Sequence, residues 1–201
     1  MDEPSGWHSR GFLPHFDSPD VPQFITFRLA DSLPAGAGEA LRDAAHATVV
    51  LDDALDRGLG ACWLGRPEMA AIVEDALLAF DGEHYRLIAW CVMPNHVHVL
   101  IEAIAGRRTG SVVGSWKRYT ARQANSLLGR RGAFWQEDYW DRFVRDKNHL
   151  MATIDYIERN PVAAGLATAT EDWRWSSARQ RRPPTQAMGA TGVARSRENK
   201  T

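Results

Sequence analysis

Two short apolar runs separated by a proline and an asparagine constrain the fold of this chain most strongly. Residues 85–93 (YRLIAWCVM) and 96–102 (HVHVLIE) are rich in aromatic, β-branched and aliphatic side chains, which is the composition of strands that pack on a sheet. Pro94 and Asn95 lie between them, and both are residue types that favour a tight turn. The sequence therefore predicts an antiparallel hairpin near the centre of the chain.

The segments on either side of the hairpin alternate between extended and helical patterns. We predict strands over 23–29 and 139–145, helices over 38–56 and 109–128, a helix that begins at Pro67, and a helix over 147–160 that Pro161 ends. This order of elements fits an α+β fold in which helices cover an antiparallel sheet. The ferredoxin-like arrangement is the natural candidate.

The two ends of the chain lack such patterns. Residues 1–20 contain three prolines among scattered polar groups, so we expect an irregular lead-in. Residues 183–201 are rich in proline, glycine, alanine, arginine and serine, and we expect this tail to be disordered. The remaining length suits one sizeable domain, which we predict to span residues 1–182.

The composition favours a cytoplasmic protein. No apolar run approaches the roughly 18 residues of a membrane helix, and the amino terminus lacks the basic and apolar regions of a signal peptide. The two cysteines, Cys62 and Cys91, form no metal-binding or redox motif. Free thiols suit a reducing compartment, so we expect the protein in the cytoplasm.

Basic residues cluster in the middle of the chain, although the net charge is only −1. Residues 103–150 hold ten lysines and arginines against four acidic residues, and a local basic patch attracts phosphate even on a neutral protein. The candidate DNA contacts are Lys117, Arg118, Arg122, Arg130 and Arg131, with Trp135 for stacking on unpaired bases. The alternative is a solvated helix face, with the tryptophans in the core.

Two histidines lie two residues apart in the second strand of the predicted hairpin. Because side chains alternate along a strand, His96 and His98 share one face. Val97 and Val99 then point to the opposite face and can fill a core. Two imidazoles on one face are well placed to hold a divalent metal ion. The alternative is a pair of solvent-facing side chains.

The sequence around the histidines resembles a known family of DNA-processing proteins. The run 90–100 (WCVMPNHVHVL) resembles the histidine–hydrophobic–histidine (HUH) motif of single-tyrosine transposases, and its Met-Pro-Asn is typical of those associated with repetitive extragenic palindromes (REP). The likeness extends to Phe-Trp-Gln at 134–136 and Asn-Pro-Val at 160–162, and covers roughly residues 10–178. It implies the HUH endonuclease fold.

The chemistry of that family needs a tyrosine nucleophile, and this chain has four tyrosines. We assign Tyr85 to packing, and Tyr139 to packing or to a DNA-facing position. On the residues alone, Tyr119 in the basic helix and Tyr156 both stay open. Tyr156 and Asn160 are four apart and share one helix face. The resemblance favours Tyr156, because the family's nucleophile lies on such a helix, with Asn or Gln four residues later completing the metal site.

The resemblance also implies a reaction. Tyr156 would attack DNA and leave a 5′-phosphotyrosine link and a free 3′-hydroxyl. A divalent metal, Mg²⁺ or Mn²⁺, would be held by His96, His98 and Asn160. The expected substrate is single-stranded or hairpin DNA, processed by a monomer or weak homodimer. Two alternatives stay open: a non-catalytic protein that binds hairpin nucleic acid, and a metal-dependent nuclease that uses water.

Overall fold

The computed structural model describes residues 6–9, 14–17, 21–33, 54–104 and 106–180, the first two of these ranges by backbone alone. The helix predicted over 38–56 lies outside these residues apart from 54–56, which are helical. The tail predicted over 183–201 also lies outside them. No helix within the described ranges is long and apolar enough to span a membrane.

Besides helical residues 54–56 and the 3-10 helices Trp63–Gly65 and Thr170–Asp172, six strands and four α-helices follow one another along the described chain. In order they are β1 (Gly6–Ser9), β2 (Pro14–Asp17), β3 (Gln23–Arg28), α1 (Pro67–Leu78), β4 (Tyr85–Val92), β5 (His96–Ala103), α2 (Thr109–Leu127), β6 (Trp140–Phe143), α3 (Lys147–Ala163) and α4 (Ser177–Gln180).

A four-stranded antiparallel sheet with the order β4-β5-β3-β6 forms the centre of the fold. The β3–α1–β4 unit encloses β5 between its two strands, and the β5–α2–β6 unit encloses β3. These two interleaved units are the split βαβ arrangement of ferredoxin-like proteins. The predicted α+β class and ferredoxin-like sheet are therefore confirmed.

The alternation of side chains divides the sheet into two faces. On one face, Ile25 and Phe27 of β3 meet Val99 and Val97 of β5 and form the larger core with α1 and α2. On the other, which we call the α3 face, a smaller core includes Phe24, Cys91, Leu100 and Ile157. Each buried aliphatic or aromatic side chain contributes about 1.5–3 kcal/mol. Helix α3 is therefore held against the sheet face that carries the histidines.

The exposed edge of β4 is covered near its end by the segment that precedes α4. The Val92 amide donates to the Trp175 carbonyl at 2.8 Å, and the Trp173 indole donates to the Val92 carbonyl at 3.0 Å. The Trp90 amide donates to the Ser177 hydroxyl at 3.2 Å. Because an uncovered edge strand can pair with other chains, these bonds also protect the fold from aggregation.

The prediction of an irregular lead-in is wrong for two short segments. Strands β1 and β2 form an antiparallel two-stranded sheet, in which Gly6 lies opposite Asp17 and Ser9 opposite Pro14. Prolines had suggested irregular backbone here. Proline is tolerated at the first residue of a strand, and Pro14 occupies that position in β2.

The prediction that Pro161 ends the last long helix is also wrong, because α3 continues to Ala163. Proline removes only one helical hydrogen bond, and both Asn160 and Pro161 are buried against the sheet. The Ala164 amide donates to the Asn160 carbonyl at 2.9 Å. Gly165 then follows with φ of 70°, a left-handed conformation typical of a helix end. The packing of the last turn outweighs the local preference of the residue before proline.

Candidate active site

The two histidines of β5 lie side by side beneath α3. Their Nε2 atoms are 3.0 Å apart, and their ring centroids are 4.6 Å apart. Both side chains are buried, with exposed fractions of 1% for His96 and 0% for His98. The structure thus confirms that they share one face, and the alternative of solvent-facing histidines is wrong.

A hydrogen bond from the turn between β4 and β5 determines which ring nitrogen of neutral His96 carries the proton. The His96 Nδ1 atom lies 2.8 Å from Asn95 Oδ1. The Asn95 amide nitrogen donates to the carbonyls of Leu55 at 3.0 Å and Leu59 at 3.2 Å, so the Asn95 oxygen must face the imidazole. Because that oxygen can only accept, Nδ1 carries the proton in neutral His96 and Nε2 carries a lone pair.

The partner of His98 allows either ring nitrogen to be protonated. His98 Nδ1 lies 2.9 Å from the hydroxyl oxygen of Thr26 on β3. A hydroxyl can donate or accept. When it donates, His98 Nε2 can carry the proton and donate to His96. When it accepts, the Nε2 lone pairs of both histidines converge, which suits a shared cation.

Helix α3 brings Tyr156 to the histidine pair and buries Asn160 one helical turn later on the same helix. The Tyr156 ring centroid is 5.7 Å from that of His98 and 5.8 Å from that of Phe24. One helical turn later, Asn160 is 3% exposed. The Asp146 carboxylate caps the start of the helix by accepting from the His149 amide at 2.8 Å. Apolar side chains hold α3 in place: Ile157 is buried in the smaller core, and Leu150 and Ile154 pack against it.

The donor groups present fit a divalent metal ion. Asn160 Oδ1 is buried and has no hydrogen-bond partner among the described residues, a state that costs about 1–3 kcal/mol. The same part of the chain holds no group of three or more His, Cys, Asp or Glu residues that could bind a metal. Two imidazoles and one amide oxygen are therefore the candidate ligand set, a mixture of nitrogen and oxygen donors.

Burial keeps both imidazoles neutral. It lowers the pKa of His98 to about 3. For His96, burial acts together with the neighbouring His98 to lower the pKa well below its usual range. Metal ligands must be deprotonated, so at neutral pH neither histidine has to lose a proton before it binds a cation.

We expect the metal-free protein to lose stability as the pH falls below 6.5, the ordinary histidine pKa. Below that value the unfolded chain binds protons at His96 and His98, whereas the folded site excludes them. Each histidine should therefore lower the free energy of unfolding by about 1.4 kcal/mol per pH unit. For His98 this loss continues until the pH reaches its folded pKa of about 3.

Urea unfolding in EDTA between pH 7.5 and 5.5 measures this dependence, because carboxylates titrate mostly below that window. The matched variant is His98→Gln, which should show a smaller slope of stability against pH. An equal slope in the two proteins would contradict the prediction.

The other tyrosines lie away from the histidine pair. Tyr119 is 44% exposed on α2, which covers the opposite sheet face. Tyr85 and Tyr139 both pack with the larger core on that face. The Tyr85 hydroxyl donates to the Leu77 carbonyl at 2.7 Å, and burial raises the pKa of Tyr85 to about 12. Of the four tyrosines, the structure brings Tyr156 to the histidines.

The candidate DNA contacts fall into two groups. Arg118, Arg122 and Arg131 are exposed. Lys117 and Arg130 are half-buried and hold the chain that follows α2. Lys117 Nζ donates to the Glu137 carbonyl at 2.6 Å, and the Arg130 guanidinium donates to the Ala133 carbonyl at 3.1 Å.

Trp135 lies in the core, not on the surface. It is 6% exposed, its indole nitrogen donates to the Thr120 hydroxyl at 2.8 Å, and its ring meets Phe27 edge to face with centroids 4.9 Å apart. This burial leaves little of the ring to stack on a base. Trp135 is therefore a core residue, as in the alternative stated from the sequence.

Comparisons with known proteins place this chain beside a family of transposases and a solved structure of similar fold. Residues 69–160 match the family model of the IS200-like transposases. Over 107 residues the chain is 30% identical to a Haemophilus influenzae protein named as a REP-associated tyrosine transposase, a match that covers 47% of this chain and 61% of that protein. The solved structure of a REP-associated tyrosine transposase bound to a REP hairpin covers 93% of this chain and 97% of its own, with a TM-score of 0.53 and 19% identity.

These findings show similarity first to a class of transposases and then to one subgroup of it. The chain is related to the IS200-like transposases through its residues 69–160. The 30% identical protein is named as a REP-associated tyrosine transposase, so the resemblance stated from the sequence is confirmed. The structural likeness shows the fold. The chain spans about three fifths of the length of the curated relative, since 61% of that protein is covered.

Proposed function

We propose that this protein is a metal-dependent endonuclease and strand transferase that acts on single-stranded or hairpin DNA through a 5′-phosphotyrosine intermediate. The observation that carries the proposal is the position of the Tyr156 ring, 5.7 Å from the ring of His98 in the buried histidine pair. A hairpin substrate is supported by the structural neighbour, which is bound to a REP hairpin.

The metal ligands in this proposal are His96, His98 and Asn160, with Mg²⁺ or Mn²⁺ as the cation. When bound, such a cation polarises a phosphate oxygen and offsets the negative charge of the transition state. Asn95 is hydrogen-bonded to His96 and Thr26 to His98, and these bonds orient the two imidazoles.

Tyr156 performs the transfer. Its side chain is 38% exposed, so a DNA strand can reach it although the histidines are buried. The phenolic oxygen forms a bond to phosphorus as the bond between phosphorus and the 3′ oxygen breaks, and the leaving 3′ oxygen takes up a proton while the phenol releases one. The number of phosphoester bonds is unchanged. Attack by a 3′-hydroxyl on the phosphotyrosine can therefore join strands without a further energy source.

The test is to trap the covalent intermediate. We expect the protein to form a DNA adduct that survives a denaturing gel when it is mixed with hairpins carrying randomised single-stranded flanks and Mn²⁺. EDTA should abolish the adduct, and mass spectrometry of the digested band should place the nucleotide on Tyr156. A shift on a native gel without any adduct would indicate a non-catalytic binding protein. Cleavage without an adduct would indicate a nuclease that uses water.

A further inference from the structure

Arg28 ends β3 on the sheet face that carries the histidines. In the antiparallel pairing of β3 with β5, Arg28 lies opposite His96, and Thr26 lies opposite His98. Residues directly opposite each other in such a pair have Cβ atoms about 4.5–5.5 Å apart and share a face. The Arg28 side chain therefore starts beside one of the candidate metal ligands.

The Arg28 guanidinium is half-buried and is held by a neutral partner. Its Nη1 atom donates to the Ser32 hydroxyl oxygen at 3.2 Å, and that buried hydroxyl donates to the Leu29 carbonyl at 2.8 Å. In the part of the chain that the structure describes, no carboxylate forms an ion pair with Arg28. The charge of this partly desolvated cation is therefore not balanced by a carboxylate of the described residues.

Lys117 provides a contrast at the same end of the sheet. Burial lowers the pKa of Lys117 to about 8, and Arg28 also lowers it, while Asp138 and Glu137 act in the opposite direction. Two carboxylates thus compensate the charge of Lys117. For Arg28, burial lowers the pKa, and no carboxylate of the described residues acts in the opposite direction. Among the described residues, Arg28 thus carries a positive charge beside the histidines that no carboxylate balances.

We propose that Arg28 binds a phosphate of the DNA strand at the cleaved bond or immediately beside it. The inference rests on the proposed function. A guanidinium has five N–H donors, and a planar pair of them matches two phosphate oxygens. The bond to Ser32 uses one donor and orients the group, and the remaining donors serve the phosphate. The phosphate supplies the missing counter-charge next to His96.

The test measures binding without turnover, in the Tyr156→Phe background and in EDTA. A DNA hairpin that the protein binds is first selected from hairpins with randomised single-stranded flanks. Single methylphosphonate linkages, each of which removes one phosphate charge, are then placed along the flank. Arg28→Gln should weaken binding to the unmodified hairpin about tenfold. One methylphosphonate position should weaken binding by the protein with Arg28 by a similar factor and leave binding by Arg28→Gln unchanged.

The matched control is Arg122→Gln on the exposed side of α2, over the opposite sheet face. This variant should remain sensitive to the same methylphosphonate position. Arg28→Lys keeps the charge without the planar fork, so its sensitivity at that position should be reduced, and it serves if Arg28→Gln does not fold. If every methylphosphonate position weakens binding equally in the proteins with and without Arg28, the inference is overturned. If covalent adducts form, but no methylphosphonate position changes its effect on binding when Arg28 is replaced, only this inference fails. If one position does change its effect and no adduct forms, only the proposed reaction fails.

Discussion

Replacing Tyr156 with phenylalanine should abolish covalent adducts and lower strand transfer on the order of 10³-fold or more, the usual scale for loss of a nucleophile. The variant loses only the phenolic oxygen and keeps the aromatic contacts with Phe24 and His98. We therefore expect the fold and hairpin binding to be nearly unchanged. Denaturing gels measure the adduct, and native gels measure binding on the same samples.

The control for this experiment is Tyr119→Phe. Tyr119 is equally accessible, but it lies on α2, whose buried side chains pack on the sheet face opposite the histidines. Adduct formation should therefore survive in Tyr119→Phe. The assignment fails if adducts persist in Tyr156→Phe and disappear in Tyr119→Phe. Persistent cleavage without an adduct in Tyr156→Phe would instead identify water as the nucleophile.

The sequence predicts the local elements of this fold well, because their signals are local. The hairpin of β4 and β5, the start of α1 at Pro67 and the start of α2 at Thr109 all lie within one residue of their predicted positions. The shared face of the histidines follows from strand alternation alone. Each of these features depends on residues that are close together in the chain.

Contacts between distant segments could not be predicted in the same way. The register that places Thr26 opposite His98 and Arg28 opposite His96 cannot be predicted from the sequence alone. Strand register depends on the packing of the whole sheet. The sequence indicates Asn95 as a turn residue within the Met-Pro-Asn run, but its bond to His96 requires the carbonyls of Leu55 and Leu59 to hold its amide. The side chains that orient the candidate metal ligands therefore follow from the tertiary fold and not from the local sequence.

The same reason explains the two largest differences in the DNA-binding prediction. Trp135 follows a basic loop, which suggested a surface position, yet its indole reaches back to Thr120 on α2. Lys117 is one of a run of basic residues, yet its ammonium group binds the carbonyls of residues 137 and 138. Composition identifies a charged region, but only tertiary packing decides which of its side chains face the solvent.

Replacing Asn160 with leucine should stabilise the metal-free protein and remove most of its stabilisation by Mn²⁺. The buried Asn160 Oδ1 has no hydrogen-bond partner among the described residues, so an apolar side chain of similar size should raise the free energy of unfolding by about 1 kcal/mol or more in EDTA. With the amide present, Mn²⁺ at about 100 times its Kd should add about 2.7 kcal/mol. Urea unfolding with and without Mn²⁺ measures both effects.

Thr153→Val provides the matched control for this change on the same helix. Thr153 is buried, and its hydroxyl donates to the His149 carbonyl at 2.7 Å, so its loss alters local stability without touching the candidate ligands. The gain from Mn²⁺ should be the same in Thr153→Val as in the unchanged protein. A full gain from Mn²⁺ in Asn160→Leu, together with lower stability in EDTA, would show that the amide oxygen serves the fold and not a cation.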